Sequence, residues 1–186
     1  MDLVITDPIS EDYIQYHDLV TQPHIQKEFH NFRGQKLSET KNEIDYWVKN
    51  HGETLPHFLR FLKLTNDSDA GYWDASNSII IGFIANLSAG PVEESHSGFN
   101  SLINFGISEE FQGQGIMTTA LNMTMQRLFE MEFNISTAFV KPHNRASARV
   151  LEKCGYDIVR ESPLGTSYAK ALKINLDYYR ESFGLD

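Results

Sequence analysis

Two glycines separated by one residue sit in the run Phe105-Gly106-Ile107-Ser108-Glu109-Glu110-Phe111-Gln112-Gly113-Gln114-Gly115-Ile116-Met117. The residues up to Ile107 read as a strand, a polar turn follows, and the glycines open a helix. Such a turn has a chemical use. Glycine adopts φ > 0 and lets a ligand approach the backbone closely. The first turn of a helix offers N–H groups without intrahelical partners and the positive end of the helix dipole. Together these suit phosphate oxygens. The run lacks the Gly-Lys-Ser/Thr of a nucleotide P-loop and the third glycine of a dinucleotide fingerprint, so neither of those phosphate sites fits. Taken alone, a glycine turn before a helix is also simply a turn.

A second segment follows, Pro142-His143-Asn144-Arg145-Ala146-Ser147-Ala148-Arg149-Val150-Leu151-Glu152-Lys153-Cys154-Gly155-Tyr156. Asn144 can cap a short helix there, and Gly155 is its C-terminal stop. The two segments in this order, Gln-Gly-Gln-Gly-Ile-Met and Asn-x-x-Ser-x-x-Val-Leu-Glu-Lys-x-Gly-Tyr, resemble the GNAT superfamily of N-acetyltransferases. The likeness is strongest to the branch that includes the Rim-type ribosomal-protein N-terminal acetyltransferases. Ile80-Ile81-Gly82-Phe83-Ile84 resembles the strand before the cofactor strand in that branch. The match runs from about Ile79 to Ile174 and fades before it.

The resemblance implies a mechanism and a set of residues. Acetyl-coenzyme A lies between two splayed parallel strands, here Leu102–Ile107 and Ile135–Val140. Its pantetheine arm pairs with the first strand, at Phe105 and Ile107. Its pyrophosphate rests on the turn amides of Gln112, Gly113, Gln114, Gly115, Ile116 and Met117. The amine attacks the thioester directly, without an acyl-enzyme, and the N–H near Ile107 is the expected donor to the carbonyl. Direct attack requires a neutral amine, a polarised carbonyl and a proton for the departing thiolate. In the Rim-type branch the serine matching Ser147 is proposed to supply that proton. The tyrosine that does so in other branches is replaced here by Leu151. Ser147 can equally serve a helix N-terminal amide. Asn144 can bond the pantetheine arm, cap its helix, or both.

The elements that must position these residues are legible in outline. Leu3 to Thr6 reads as a strand, and Ser10 to Val20 as a helix with Ser10 in a capping position. Leu37 to Asn50 is a helix that Ser38 can cap, with Ile44, Trp47 and Val48 at helical spacing. Phe58 to Leu64 and Ile79 to Leu87 read as strands, and Asn66 to Ser78 and Ser88 to Asn100 as loops. After the glycine turn, Ile116, Ala120, Met123, Leu128 and Met131 fall roughly on one helix face. Tyr156 to Arg160 and Ser167 to Ile174 form a final hairpin. This order predicts an α+β fold, a single GNAT-type domain over residues 1–186 with a mixed twisted sheet flanked by helices. Residues 1–78 would supply the acceptor side and 79–175 the cofactor-binding core.

Composition bounds the partners. The net charge is −9, so nucleic acid, which is held largely by Lys and Arg on phosphates, is not an expected ligand. From Lys141 onward eight Lys/Arg stand against six Asp/Glu, a net of +2, leaving −11 on residues 1–140. A cationic amine suits the acidic portion, although both portions also read as solvated surface. The lone Cys154 precludes an internal disulfide and reads as a packed small side chain. Neither a signal peptide nor a membrane span is expected, which makes the cytoplasm the default location. The seven histidines, at 17, 24, 30, 51, 57, 96 and 143, lack ligand spacing, so no metal is expected. The general base is not legible; Glu93, Glu94 and His96 lie in the loop before the cofactor strand, and a water chain is the other route. The acceptor class is open among protein N-termini, lysines, polyamines, aminoglycosides and other small amines. A homodimer is a possibility by family analogy alone. The rival reading is a non-catalytic acetyl-coenzyme A or coenzyme A sensor, which the same turn would serve.

Overall fold

The computed structural model describes residues 2–50, 57–65, 78–88, 99–131 and 133–172. Segments rich in β-branched and aromatic residues form the strands. They are β1 Asp2–Thr6, β2 Phe58–Thr65, β3 Ser78–Ser88, β4 Phe99–Ile107, β5 Phe133–Val140, β6 Asp157–Ser162 and β7 Gly165–Ala171. The helices are α1 Tyr13–Val20, α2 Pro23–Glu28, α3 Leu37–Asn50, α4 Ile116–Glu130 and α5 Arg145–Lys153. Among the described residues the strands hydrogen-bond in the order β1-β2-β3-β4-β5-β7-β6. β1 and β2 pair antiparallel, as do β5 with β7 and β6 with β7, whereas β4 and β5 are parallel. This is the α+β mixed sheet that the order of elements predicts.

The central parallel pair is short. Its register runs from Phe99↔Phe133 to Leu102↔Thr137, yet β4 continues to Ile107 and β5 to Val140. Ile103 and Asn104 therefore extend beyond the ladder.

Several local expectations change. Ser10 opens a 3₁₀ turn, Ser10–Asp12, without capping it; the Asp12 carboxylate accepts the Ile9 N–H at 3.0 Å instead. Ser38 is not the cap of α3 either. The Glu39 carboxylate reaches back to the Lys36 N–H at 2.7 Å, and the Lys36 carbonyl accepts the first helical bonds. In both cases a longer carboxylate outcompetes a serine one or two residues away. Met123 is 53% exposed, whereas Met117, Leu121, Thr124 and Leu128 form the buried stripe of α4. Ala120 and Leu128 of the expected face are fully buried; Met123 is the member that turns outward. Helix α2 is an element that the apolar pattern did not reveal.

The chain forms two compact units, Met1–Ala85 with Phe105–Ile116, and Asn86–Asn104 with Met117–Asp186. In the first, Tyr16, Leu19, Val20, Ile25, Phe32, Ile44, Leu59, Phe61, Ile80 and Phe83 make one apolar cluster. Tyr16 meets Phe61 and Phe83 with ring centroids 5.0 and 5.9 Å apart, within the range of favourable aromatic pairs. Lys63 and Asp12 form a buried ion pair at 2.6 Å beside this cluster. In the second, α4, β5, α5 and β7 supply buried Leu121, Phe133, Ile135, Leu151 and Ala169.

Glu43 on α3 is a carboxylate under tension. Burial pushes its pKa above the ordinary 4.5, against the opposing pull of hydrogen bonds from Gln35, Tyr16 and Trp47. Gln35 Nε2 donates to Glu43 Oε2 at 3.0 Å, while the Gln35 Oε1 is buried without a partner among the described residues. The folded state thus binds this proton more tightly than the unfolded chain does. Glu43 favours folding at acid pH, and that contribution is lost as pH rises through the raised folded pKa. Glu43→Gln should melt higher than wild type at pH 7, by an increment below about 1 kcal/mol typical of modest substitutions. The difference should shrink as the pH is lowered toward 4.5, measured by melting temperature across a pH series.

Candidate functional site

In the first unit the site begins at the end of β4. The Ser108 N–H donates to the Ile81 carbonyl at 2.7 Å, and the Gly106 carbonyl lies against Gly82, 2.8 Å from where a Cβ would stand. Successive residues of a strand address opposite edges. The N–H and C=O groups of Phe105 and Ile107 therefore face the edge away from β3. Both side chains are half-buried. Gly106 is tightly enclosed: an added Cβ would stand 2.6 Å from the Phe83 ring and 2.9 Å from Ile25 Cδ1.

The end of the strand is gripped by the residues entering α2. Gln22 uses both ends of its amide, donating from Nε2 to Ser108 Oγ at 3.1 Å and accepting the Glu109 N–H on Oε1 at 3.2 Å. Pro23 occupies the first turn of α2, where its fixed φ suits the helix and its missing N–H costs nothing. His24 Nε2 lies 2.9 Å from the Ile107 carbonyl. A carbonyl only accepts, so Nε2 carries the hydrogen. Sequence reading missed this grip; Pro23 was the one available signal of a helix start.

After Ser108 a 3₁₀ turn, Glu109–Phe111, leads to the exposed Gln112, Gly113, Gln114 and Gly115. Gly113 and Gly115 have φ of 75° and 79°, and a Cβ at either would meet nothing within 4 Å. The glycines are thus required by backbone conformation and by access, not by packing. Gln114 Nε2 bonds back to the Glu110 carbonyl at 2.9 Å, tying the turn to itself. Ile116 is half-buried and opens α4, whose first-turn N–H groups have no acceptor within the helix.

The second unit holds the remaining residues. Met117 is 5% exposed, so it can serve a ligand only through its backbone. Asn144 caps α5, its side chain accepting the Ser147 N–H at 3.1 Å. The capping role therefore belongs to Asn144. Ser147 contributes only its backbone to that bond, and its half-buried hydroxyl makes no hydrogen bond among the described residues. Leu151 is fully buried. Tyr156 is no substitute acid: its hydroxyl is sealed between Ser136 Oγ at 2.6 Å and Met125 Sδ at 3.1 Å, and burial raises its pKa far above 10.0. Cys154 is buried, its thiol pKa raised above 9.0 by desolvation, with Sγ 3.5 Å from the Thr118 carbonyl. Glu93, Glu94 and His96 lie outside the described residues. Among the described residues no group of three or more His, Cys, Asp or Glu is arranged to hold a metal. No helix there is long and apolar enough to cross a membrane.

The fold has counterparts in solved structures. The ribosomal-protein-S5-alanine acetyltransferase from Vibrio fischeri is 17% identical, with 92% of this chain and 94% of that one covered at a TM-score of 0.68. A ribosomal L7/L12 alpha-N-protein acetyltransferase, solved with coenzyme A, is 15% identical over 93% of this chain and 96% of the other, TM-score 0.70. An aminoglycoside acetyltransferase, also solved with coenzyme A, is 14% identical over 98% of each chain, TM-score 0.65. At such identities the likeness is one of fold. No curated protein matches the sequence. The family profile described as Acetyltransferase (GNAT) domain matches residues 2–157. With residues 2–157 of its 186 matched by that profile, the chain belongs to the GNAT acetyltransferase family.

Proposed function

We propose that this protein transfers an acetyl group from acetyl-coenzyme A directly to a primary amine. The observation that carries the reading is the glycine turn at the end of β4. Two residues at positive φ leave open space where side chains would be, and the first-turn N–H groups of α4 follow at once. Phosphate oxygens fit such a cradle. The outward-facing backbone of Phe105 and Ile107 suits an extended amide chain laid alongside β4 as an added strand. Structures of the same fold have been solved with coenzyme A, which supports an acyl-coenzyme A donor. On this reading, residues 79–175 hold the donor, with Asn144 beside the pantetheine arm, and residues 1–78 face the acceptor.

The chemistry asked of the chain is modest. The Ile107 N–H donates to the thioester carbonyl as negative charge develops there. The amine nitrogen forms the new C–N bond, the C–S bond breaks, and the thiolate takes a proton with Ser147 as hydrogen-bond donor or relay. The amine proton leaves to water or to a base.

The acceptor is a cationic amine, as the −11 carried by residues 1–140 favours. Structural neighbours are named as acetyltransferases of ribosomal proteins and of aminoglycosides, so both acceptor types belong in the test. We place the enzyme in the cytoplasm, where its single thiol stays reduced. An acceptor panel of N-terminal peptides, polyamines and aminoglycosides, followed by release of the coenzyme A thiol, tests this. The acceptor KM should rise as salt screens the acidic surface. A KM that is flat or falls with ionic strength would remove the electrostatic argument.

A further inference from the structure

We infer that His24 fixes where along β4 an acyl donor must stop, and so registers the acyl carbonyl on the Ile107 N–H. The inference rests on the donor placement proposed above. The backbone groups of β4 that face away from β3 come in order along the strand, with Phe105 and then Ile107. A chain laid on this edge pairs with them two residues at a time, and strand pairing of this kind can slip unless something pins it. His24 supplies the pin. Its Nε2–H occupies the Ile107 carbonyl at 2.9 Å, so the last group left for an added strand on this edge is the Ile107 N–H.

The ring is held in place from several sides. Pro23 sets the chain direction into α2, and Ile25 is buried against the Gly106 position. Gln22 grips Ser108 and Glu109 immediately beyond Ile107. Gln22, His24 and Ile25 thus hold four consecutive positions, Gly106 to Glu109. A contact needed only for packing would not call for an imidazole. The His24 Nδ1 is buried without a partner among the described residues, a desolvation cost that an apolar side chain of similar size would avoid. The cost is explained if the ring is retained for the donor on its other nitrogen.

His24 is therefore a positioning residue, and its loss should act on turnover more than on binding. His24→Leu fills the same space without a donor, whereas His24→Gln carries an amide N–H near the Nε2 position. Melting temperature, acetyl-coenzyme A affinity by calorimetry, and kcat and KM for transfer to an amine used by the wild type should be measured on both. His24→Leu should lower kcat about fivefold, the worth of one ordinary hydrogen bond. Its donor affinity should stay within about twofold of wild type, and His24→Gln should keep most of kcat. Should His24→Leu not fold, His24→Asn, whose amide is too short to reach Ile107, takes its place. Unchanged kcat in the donor-less variant would overturn the inference. So would an equal loss in His24→Gln, or a loss carried wholly by donor affinity. A wild-type protein that binds no acetyl-coenzyme A would instead defeat the functional reading itself, and is seen before any variant is compared.

Discussion

Gly115→Val should weaken acetyl-coenzyme A binding about tenfold or more while the protein stays folded. At φ 79° an L-residue is strained by ~1–2 kcal/mol, and a β-branched one more so. The turn relieves that strain by leaving the left-handed region, which turns its N–H groups away from the phosphates. Nothing lies within 4 Å of the added Cβ, so the side chain does not overpack the protein. It projects into the space the ligand would use. Gly113→Val should behave alike, since its φ is 75° and its surroundings equally open. Calorimetry with acetyl-coenzyme A on each folded variant checks this; unchanged affinity would take the phosphate site away from the turn.

The glycine turn and the Asn144 cap were legible because each is local. A positive-φ glycine pair and a capping side chain act within three or four residues, which is the range over which sequence pattern is informative. Helix α3 was legible to its ends for a similar reason, since its fourteen residues are long enough to carry a period. What was not legible was tertiary. Helix α2 has six residues with one buried side chain, Ile25, too few for a helical period to appear. The grip of Gln22 on Ser108 joins positions 86 apart, and nothing near either residue announces the other. Met123 failed differently: apolar type suggested burial, but the fold buried the stripe through Leu121 and Thr124. Ser147 was read as a candidate cap because serine often is one, whereas Asn144 already holds its N–H.

That last correction sharpens the expectation for Ser147. Ser147→Ala keeps the backbone N–H that bonds to Asn144, so the melting temperature should hardly move. Asn144→Ala, by contrast, removes the cap and should cost ~1 kcal/mol of stability. If the Ser147 hydroxyl serves the departing sulfur, Ser147→Ala should lower kcat by about tenfold, the modest end of general acid catalysis, with donor affinity little changed. A thiolate is a fair leaving group, so a larger loss is not expected. Leu151 has no proton to give and the Tyr156 hydroxyl is sealed, so neither offers a substitute acid. Measuring kcat, donor affinity and melting temperature on the two variants separates the roles. An unchanged kcat in Ser147→Ala would leave the thiolate to water.

The central claim is direct transfer from acetyl-coenzyme A to an amine. Its most direct measurement is mass spectrometry of both acceptor and protein after incubation with acetyl-coenzyme A and an amine panel. The account predicts an acetyl group on the amine, matched by free coenzyme A, with none on the protein. Tight binding of acetyl-coenzyme A with no amine acetylated would contradict it and favour a coenzyme A sensor, and an acetylated protein on the path to product would contradict direct transfer.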